Sequence, residues 1–330
     1  MPTRLRVVVT RRIPEAGLRL FGQACDVWVN PEDRPLAREE LLERAGAADG
    51  VLGQLTDRID AEFFAAASGL RGYANYAVGF DNIDLAEATR RRVPVSNTPD
   101  VLTAATAEMA WTLLFAVARH VVASDAVLRS GTWTGWGPLQ FLGTEITGKT
   151  LGIFGPGRIG TAMALMSRGF AMPVLYCGGR RPNATLEREL GARRVSLAEL
   201  LAQSDVVSIH APLTPETRHV FDAAALAAMK PGAILINTAR GPIVDEAALV
   251  TALREGRLAG AGLDVYEFEP QLAAGLKDLP NVVLTPHTGS ATMTAREGMA
   301  ELAARNLLAM LTGQTPPTCL NPEVLPSVGK

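Results

Sequence analysis

The sequence has few cysteines and little net charge, and each scarcity excludes a class of protein. Three cysteines in 330 residues, Cys25, Cys177 and Cys319, lie far apart and without the spacing of metal ligands. We therefore predict reduced, structural cysteines and no metal site. A formal net charge of −2 offers no strong field for nucleic acid or an anionic membrane surface, so we expect neither as a partner.

Long apolar runs are also lacking. The most apolar helical stretch, MAWTLLFAVARHVVASDAVL, contains Arg119, His120 and Asp125, and these polar side chains exclude it as a transmembrane helix. The N-terminus has only three or four apolar residues in a row, whereas a signal peptide needs about 7–15. These features predict a cytoplasmic protein.

Strand and helix patterns alternate along the chain, and 330 residues exceed one typical core. A first set of apolar runs predicts five strands: RVVVT, DVWV, GVLGQL, GYANYA and VPVSN. After a long predicted helix, Val101 to Arg129, a second set predicts six: TLGIFG, PVLYC, VVSIHA, AILINTA, AGLDV and VVLTPH. Such alternation predicts an α/β protein with two doubly wound parallel sheets.

The second set predicts a Rossmann dinucleotide-binding domain, residues 99–291. A terminal helix, Thr294 to Leu311, adds no strand of its own. We expect it to pack on the first domain, which would then comprise residues 1–98 and 292–330.

A glycine-rich turn follows the first strand of the second set. LGIFGPGRIG contains Gly155, Gly157 and Gly160 in the pattern G-x-G-x-x-G, between an apolar strand and an amphipathic helix. The first glycine makes the tight turn, the second lets the backbone approach a pyrophosphate, and the third allows close packing of helix and strand. The pattern predicts binding of a dinucleotide at the helix N-terminus.

The stretch VLYCGGRRPN, after the next strand, suggests which dinucleotide binds. NAD-binding domains usually carry an acidic residue here for the ribose hydroxyls, whereas this chain has Gly178, followed by Arg180 and Arg181. Guanidinium groups suit the oxygens of a 2′-phosphate, so the stretch favours NADP, with NAD as the alternative. The two arginines could instead be solvated charges at a helix start.

Three later strand ends carry polar residues that could perform chemistry. Arg240 can clamp a carboxylate, His287 can transfer a proton near neutral pH, and Glu269 beside it would favour the imidazolium. Taken singly, Arg240 could form a salt bridge, His287 could be a turn residue, and Glu269 could be a surface acid. Together, downstream of a nicotinamide site, they favour reduction of a polar ketone.

The runs NTARGPIVDEAALVTAL, AGLDVYEFEP and LTPHTGSAT resemble the D-isomer-specific 2-hydroxyacid dehydrogenases, most closely the glyoxylate/hydroxypyruvate reductase branch. The resemblance extends over nearly the whole chain, from NYAVGFDNIDL to GMAELAARNLLAMLTG. It implies a flavodoxin-like substrate domain beside the Rossmann domain, and NADPH-preferring reduction of glyoxylate or hydroxypyruvate.

The same resemblance implies residue roles. Arg240 would hold the substrate, His287 would be the general acid, and Glu269 would keep it protonated. The amides of Val78 and Gly79 would bind the substrate carboxylate. In RSGTWTGWGPL, Trp136 would reach the active site of a partner in a homodimer, or serve interface packing alone. Further implied cofactor contacts are Thr106, Arg158, Ile159, Pro212, Thr217, Asp264 (facing the nicotinamide amide) and Gly289.

Three alternatives stay open. Transcriptional corepressors share this fold, and a non-enzymatic nucleotide sensor would not turn over substrate. Phosphite-oxidising relatives resemble the chain around RSGTWTGW, but place lysine where this chain has Val78. Other D-2-hydroxyacid dehydrogenases, including short phosphoglycerate dehydrogenases, remain possible.

Overall fold

The computed structural model describes residues 4–325, and the chain divides into two compact units. Unit 1 comprises Met1–Leu102 and Ala291–Lys330, and unit 2 comprises Thr103–Ser290. No single helix among the described residues is long and apolar enough to cross a membrane; only two helices taken together, bent by 63° at their junction, reach that length and hydropathy.

Unit 1 contains a five-stranded parallel sheet in the order β2-β1-β3-β4-β5, which is the flavodoxin-like order. Its elements are β1 (Leu5–Val9), α1 (Glu15–Phe21), β2 (Cys25–Val29), α2 (Arg38–Gly46), β3 (Gly50–Gly53), α3 (Ala61–Ala66), β4 (Gly72–Asn75), α4 (Leu85–Arg90), β5 (Val95–Ser96) and the terminal helix α12 (Met293–Leu311). All five predicted strands are present. Helix α12 packs on α1, β3 and β4.

Unit 2 contains a seven-stranded parallel sheet in the order β12-β11-β10-β9-β6-β7-β8, the Rossmann order with one added strand. Its elements are α5 (Thr103–Ala118), α6 (Val121–Arg129), β6 (Leu151–Phe154), α7 (Arg158–Met166), β7 (Val174–Cys177), α8 (Ala184–Leu190), β8 (Arg193–Arg194), α9 (Leu197–Gln203), β9 (Val206–Ile209), α10 (Ala223–Ala228), β10 (Ala233–Asn237), α11 (Glu246–Arg254), β11 (Leu258–Leu263) and β12 (Val282–Leu284). The predicted α/β class with two parallel sheets is confirmed.

Alternate side chains of the central strands enter two apolar clusters. Val206 and Ile234 belong to one cluster, and Val207 and Leu235 to the other. Because successive side chains of a strand point to opposite faces, both faces of the sheet are covered. This explains why these strands are apolar throughout rather than alternating with polar residues.

Two sequence expectations for unit 2 are wrong. The single helix predicted from Val101 to Arg129 is two helices, because His120 adopts a left-handed backbone with φ 51° and interrupts it. The strand count is seven rather than six, because β8 consists of two exposed arginines and so has no apolar run to reveal it.

Candidate active site

The glycine-rich turn lies between β6 and α7, as predicted. Gly155 has φ 93°, and a Cβ atom there would overlap the backbone of Ala211; a Cβ on Gly160 would overlap the Gly155 carbonyl. Gly157 is the N-cap of α7 and faces open space. Only glycine fits the first and third positions, and the open second position leaves room for a ligand beside the free N–H groups of the helix N-terminus.

This turn occupies the switch point of the sheet, where β6 pairs with β7 on one side and β9 on the other. Ligands of such sheets bind at the carboxyl ends of the strands at this point. Arg158 and Ile159 begin α7 here. In the turn after β9, the Thr217 hydroxyl donates to the Pro212 carbonyl at 2.8 Å and accepts from the Thr214 N–H at 2.8 Å.

The loop after β7 carries the residues predicted to select the cofactor. Gly178 and Gly179 have φ 93° and 75°. Arg180 and Arg181 are exposed, and no partner holds either guanidinium within residues 4–325. A third arginine, Arg194 of β8, donates from Nη2 to the Gly179 carbonyl at 2.8 Å. Sequence analysis missed Arg194, since the edge strand that carries it has no apolar signature.

Three predicted cofactor residues lie together in unit 2. The carboxylate of Asp264, which is 1% exposed, accepts from the N–H groups of Thr288 at 2.7 Å and Gly289 at 2.6 Å. Thr106 lies beside Gly289, since a Cβ on that glycine would be 3.4 Å from Thr106 Cγ2. Asp264 therefore orders the loop after β12, and the predicted contact of Asp264 with the nicotinamide amide stays a prediction.

Arg240 lies in the loop after β10, and two neighbours shape that loop. The Asn237 side chain donates to the Arg240 carbonyl at 2.9 Å and accepts from the Ala239 N–H at 3.0 Å. A Cβ on Gly241 would overlap the backbone of Tyr266. The absence of a side chain at Gly241 thus allows the Arg240 loop to approach the loop that carries Glu269.

His287 and Glu269 form a hydrogen-bonded pair. His287 Nδ1 lies 3.0 Å from Glu269 Oε2, with side chains 30% and 33% exposed. Burial acts to raise the pKa of Glu269, but the hydrogen bond and charge of His287, the Tyr266 N–H and the charge of Arg240 hold that pKa below its usual value. The structure therefore brings all three predicted catalytic residues into one electrostatic group.

The remaining predicted site residues lie apart from this group in the chain. Val78 and Gly79 follow β4 in unit 1 and are half-buried. Trp136 lies in the loop after α6 and is 83% exposed, which leaves its indole available to a partner. Each therefore stays a predicted substrate contact.

Comparison with known proteins finds similar sequences and structures. The sequence model of the "D-isomer specific 2-hydroxyacid dehydrogenase, NAD binding domain" matches residues 111–289. A glyoxylate reductase from Thermococcus onnurineus (strain NA1) is 52% identical over 324 residues, which is 97% of each chain. The chain belongs to the D-isomer-specific 2-hydroxyacid dehydrogenase family.

Two solved structures of this family are similar over the whole fold. The NADPH-dependent glyoxylate/hydroxypyruvate reductase of Sinorhizobium meliloti, in complex with NADP and malonate, has a TM-score of 0.86 at 31% identity, covering 99% of this chain and 100% of that one. A glyoxylate reductase from Paecilomyes thermophila has a TM-score of 0.87 at 33% identity, covering 98% and 100%.

These findings confirm an NAD(P)-dependent 2-hydroxyacid dehydrogenase of the glyoxylate reductase branch. The residues at the switch point fit a nicotinamide dinucleotide, because Gly155 permits the tight turn and Gly157 leaves open the space that a side chain would fill. Gly155, Gly157 and the start of α7 would hold its pyrophosphate.

Proposed function

We propose that this dehydrogenase reduces a short 2-oxo acid, glyoxylate or hydroxypyruvate, to the 2-hydroxy acid with NADPH as the preferred reductant. The observation that carries the proposal is the 3.0 Å pair of His287 Nδ1 and Glu269 Oε2, within the electrostatic influence of Arg240. The similarity to glyoxylate reductases over nearly the whole chain supports the substrate class.

His287 is the proposed proton donor. Its Nδ1 is held by Glu269, and no described residue hydrogen-bonds to its Nε2, which is left for the substrate. When bound, a nicotinamide cofactor would supply the hydride that the carbonyl carbon receives. His287 would then give its Nε2 proton to the carbonyl oxygen as negative charge develops there. In the reverse direction the same nitrogen accepts the hydroxyl proton.

Arg240 is the proposed ligand of the substrate carboxylate and carbonyl. A guanidinium presents two parallel N–H donors, which match a carboxylate. The brace from Asn237 to the Arg240 backbone supports this role, because it limits the positions that the side chain can reach. The amides of Val78 and Gly79 are proposed as further carboxylate ligands.

The NADPH preference rests on the loop after β7. Gly178 presents no acid to repel a 2′-phosphate, and Arg180 and Arg181 are exposed with no partner in the described chain. Arg194, anchored on the Gly179 carbonyl, adds a third positive charge. NAD is the second candidate cofactor, since the glycine-rich turn itself does not distinguish the two.

A homodimer is the proposed assembly. Helix α6 has no buried residue, and exposed apolar patches mark interaction sites. The helix and the loop after it carry large apolar side chains that are all at least 49% exposed: Val121, Val122, Leu128, Trp133, Trp136, Leu139 and Leu142. Sedimentation should give twice the chain mass, and the double variant Val122→Glu with Leu128→Glu should sediment as a monomer. A parent protein that sediments as a monomer would contradict the proposed homodimer.

Initial rates test the reaction. Glyoxylate, hydroxypyruvate and pyruvate are each offered with NADPH and with NADH. We expect the highest kcat/KM for glyoxylate or hydroxypyruvate with NADPH. No turnover of any 2-oxo acid, with tight binding of NADPH, would support a nucleotide sensor instead, and NADP reduction by phosphite would support the phosphite alternative.

The cofactor preference has its own test. The double variant Arg180→Ala with Arg181→Ala should raise the KM for NADPH at least about tenfold, because charged hydrogen bonds to the 2′-phosphate are lost. The KM for NADH should change less than about twofold. Arg188→Ala, an exposed arginine of α8 paired with Glu189 at 2.9 Å, is the matched control. An equal effect on both cofactors would contradict this reading of the loop.

A further inference from the structure

Three consecutive backbone carbonyls after β4 each accept a hydrogen bond. The Ala77 carbonyl accepts from the Thr98 N–H at 2.8 Å. The Val78 carbonyl accepts from Asn97 Nδ2 at 2.7 Å, and the Gly79 carbonyl accepts from Asn75 Nδ2 at 2.8 Å. All of these residues belong to unit 1.

The geometry of the peptide bond then fixes where the N–H groups point. These peptides are trans, so the C=O and N–H of each peptide point in opposite directions. The N–H groups of Val78, Gly79 and Phe80 therefore face away from the residues that hold the carbonyls. No acceptor within residues 4–325 binds any of the three. Val78 and Gly79 are half-buried, and Phe80 is 41% exposed.

We propose that these three N–H groups form one anion-binding crown, with the Phe80 amide as a third donor, and that Asn75 is the positioning residue that aims it. Successive backbone N–H groups on one side of a loop make concave sites for anions. The inference rests on the proposed function, because the anion is then the carboxylate of the 2-oxo acid. It adds Phe80 and Asn75 to the residues that bind or orient substrate.

Asn75 has the features of a positioning residue rather than of core packing. Its side chain is fully buried, and its Nδ2 donates to the Gly79 carbonyl. Its Oδ1 is buried without a hydrogen-bond partner among the described residues, and such an atom costs free energy. An apolar side chain would fill the space without that cost. The shorter of the two bonds that its Nδ2 makes, 2.8 Å to Gly79 against 3.5 Å to Asn82 Oδ1, fixes the orientation of the Gly79–Phe80 peptide.

Two pairs of variants test the crown. Phe80→Pro removes the proposed third N–H, whereas Phe80→Ala keeps it. Asn75→Leu keeps a similar side-chain volume but removes the donor that orients the Gly79–Phe80 peptide. Asn321→Leu is its control, since Asn321 is equally buried in unit 1 and bonds Val93 and Val95 at the opposite end of β5. The measurements are the KM for glyoxylate, the KM for NADPH and the Kd of oxalate, an unreactive dicarboxylate.

We expect Phe80→Pro and Asn75→Leu each to raise the oxalate Kd and the glyoxylate KM about tenfold, the loss of one hydrogen bond to a charged group. The KM for NADPH should stay unchanged, and Asn321→Leu should have less than about a twofold effect. Phe80→Ala is the reference for Phe80→Pro, and it should bind oxalate about tenfold more tightly than Phe80→Pro does. Equal effects within either pair would overturn the inference. If Asn75→Leu does not fold, the Phe80 pair decides alone.

The proposed function and the crown fail in different ways. A parent protein that does not reduce glyoxylate would refute the function, while oxalate binding would still report on the crown. A parent protein that reduces glyoxylate, with Phe80→Pro no weaker than Phe80→Ala, would refute the crown and leave the function standing.

Discussion

Two histidine–glutamate pairs are anchored on one loop of unit 2, and they differ in a way that separates structure from chemistry. Glu267 Oε1 lies 2.6 Å from His219 Nε2, and Glu269 Oε2 lies 3.0 Å from His287 Nδ1. Both histidines have left-handed backbones, with φ 51° and 53°. Backbone strain and a carboxylate partner are thus common to both pairs and cannot distinguish their roles.

The difference lies in which ring nitrogen the carboxylate holds and in how far the carboxylate is buried. Glu269 binds Nδ1 and leaves Nε2, at the tip of the ring, for a ligand. Glu267 binds Nε2, so His219 keeps only the nitrogen next to its own backbone. Glu267 is 7% exposed and also lies 3.7 Å from Arg218. We infer that the Glu267 pair holds the turn after β9 against the loop after β11. In the Glu269 pair, we infer that His287 transfers the proton.

Replacing each histidine in turn tests this contrast most strongly. His287→Gln should lower kcat about 10²–10⁴-fold, since general acid catalysis contributes about that much. His219→Gln should change kcat less than about threefold, because its Nε2 serves a structural contact. Initial rates with saturating cofactor provide the comparison. A loss in His219→Gln as large as in His287→Gln would remove the distinction between the pairs.

Replacing each glutamate extends the contrast to pH dependence. The negative charge of Glu269 favours the imidazolium of His287, the form needed for reduction. Glu269→Gln should therefore move the alkaline limb of the kcat/KM profile to lower pH and lower kcat about 10–100-fold. Glu267→Gln should leave the limb in place. An unmoved limb in Glu269→Gln would show that the pair does not control protonation.

Sequence reasoning found the Glu269 pair but not the Glu267 pair, and the reason is physical. Glu269 and His287 each end a strand pattern within a recognisable motif, and parallel strands bring such ends to one edge of the sheet. His219 lies in a turn, and α10 begins only later, at Ala223. A turn residue with left-handed backbone and no glycine or proline beside it gives no local signal.

The same limit applies to the supporting residues. Gly155 and Gly160 were predictable because their roles follow from a local turn between strand and helix. Asn75 holds the carbonyl of Gly79 in the loop that follows its own strand, and Glu246 binds residues 21 and 27 positions away. Arg194 lies on an edge strand without apolar character. Their roles can be recognised only when the fold is known. The sequence therefore allowed prediction of the motif residues of the candidate site, but not of the residues that support them.

Glu246 supports both pairs, so its replacement should weaken them together. It is 2% exposed and accepts from the N–H groups of Glu267 at 2.6 Å and Ala273 at 3.1 Å, which bracket Glu269. Burial raises its pKa, and the charges of Glu267 and Glu269 raise it further against these two N–H groups. Glu246→Gln should lose one acceptor and lower kcat about three- to tenfold.

Amide exchange of Glu267 and Ala273 should also accelerate in Glu246→Gln. The control is Glu255→Gln, which removes an exposed carboxylate just after α11. Faster exchange without loss of kcat would show that the loop can loosen without disturbing His287, and the pairs would then be supported independently.

The smallest expected effect concerns stability. The pKa of Glu269 is lowered on folding, so its ionised form stabilises the native state above the unfolded pKa of about 4.3, and this contribution is lost as pH falls through the folded pKa. The pair is about a third exposed, so Glu269→Gln should cost only about 0.5 kcal/mol at pH 7 and less in acid.

Glu267→Gln should cost more at pH 7, about 1–2 kcal/mol, because its nearly buried carboxylate holds His219 and lies near Arg218. Urea unfolding of both variants at pH 7 and pH 3 measures the difference. If Glu269→Gln destabilises as much as Glu267→Gln, the exposed pair also carries structural free energy. The assignment of a structural role to the Glu267 pair alone would then be wrong, even if the two histidine variants still differed in kcat.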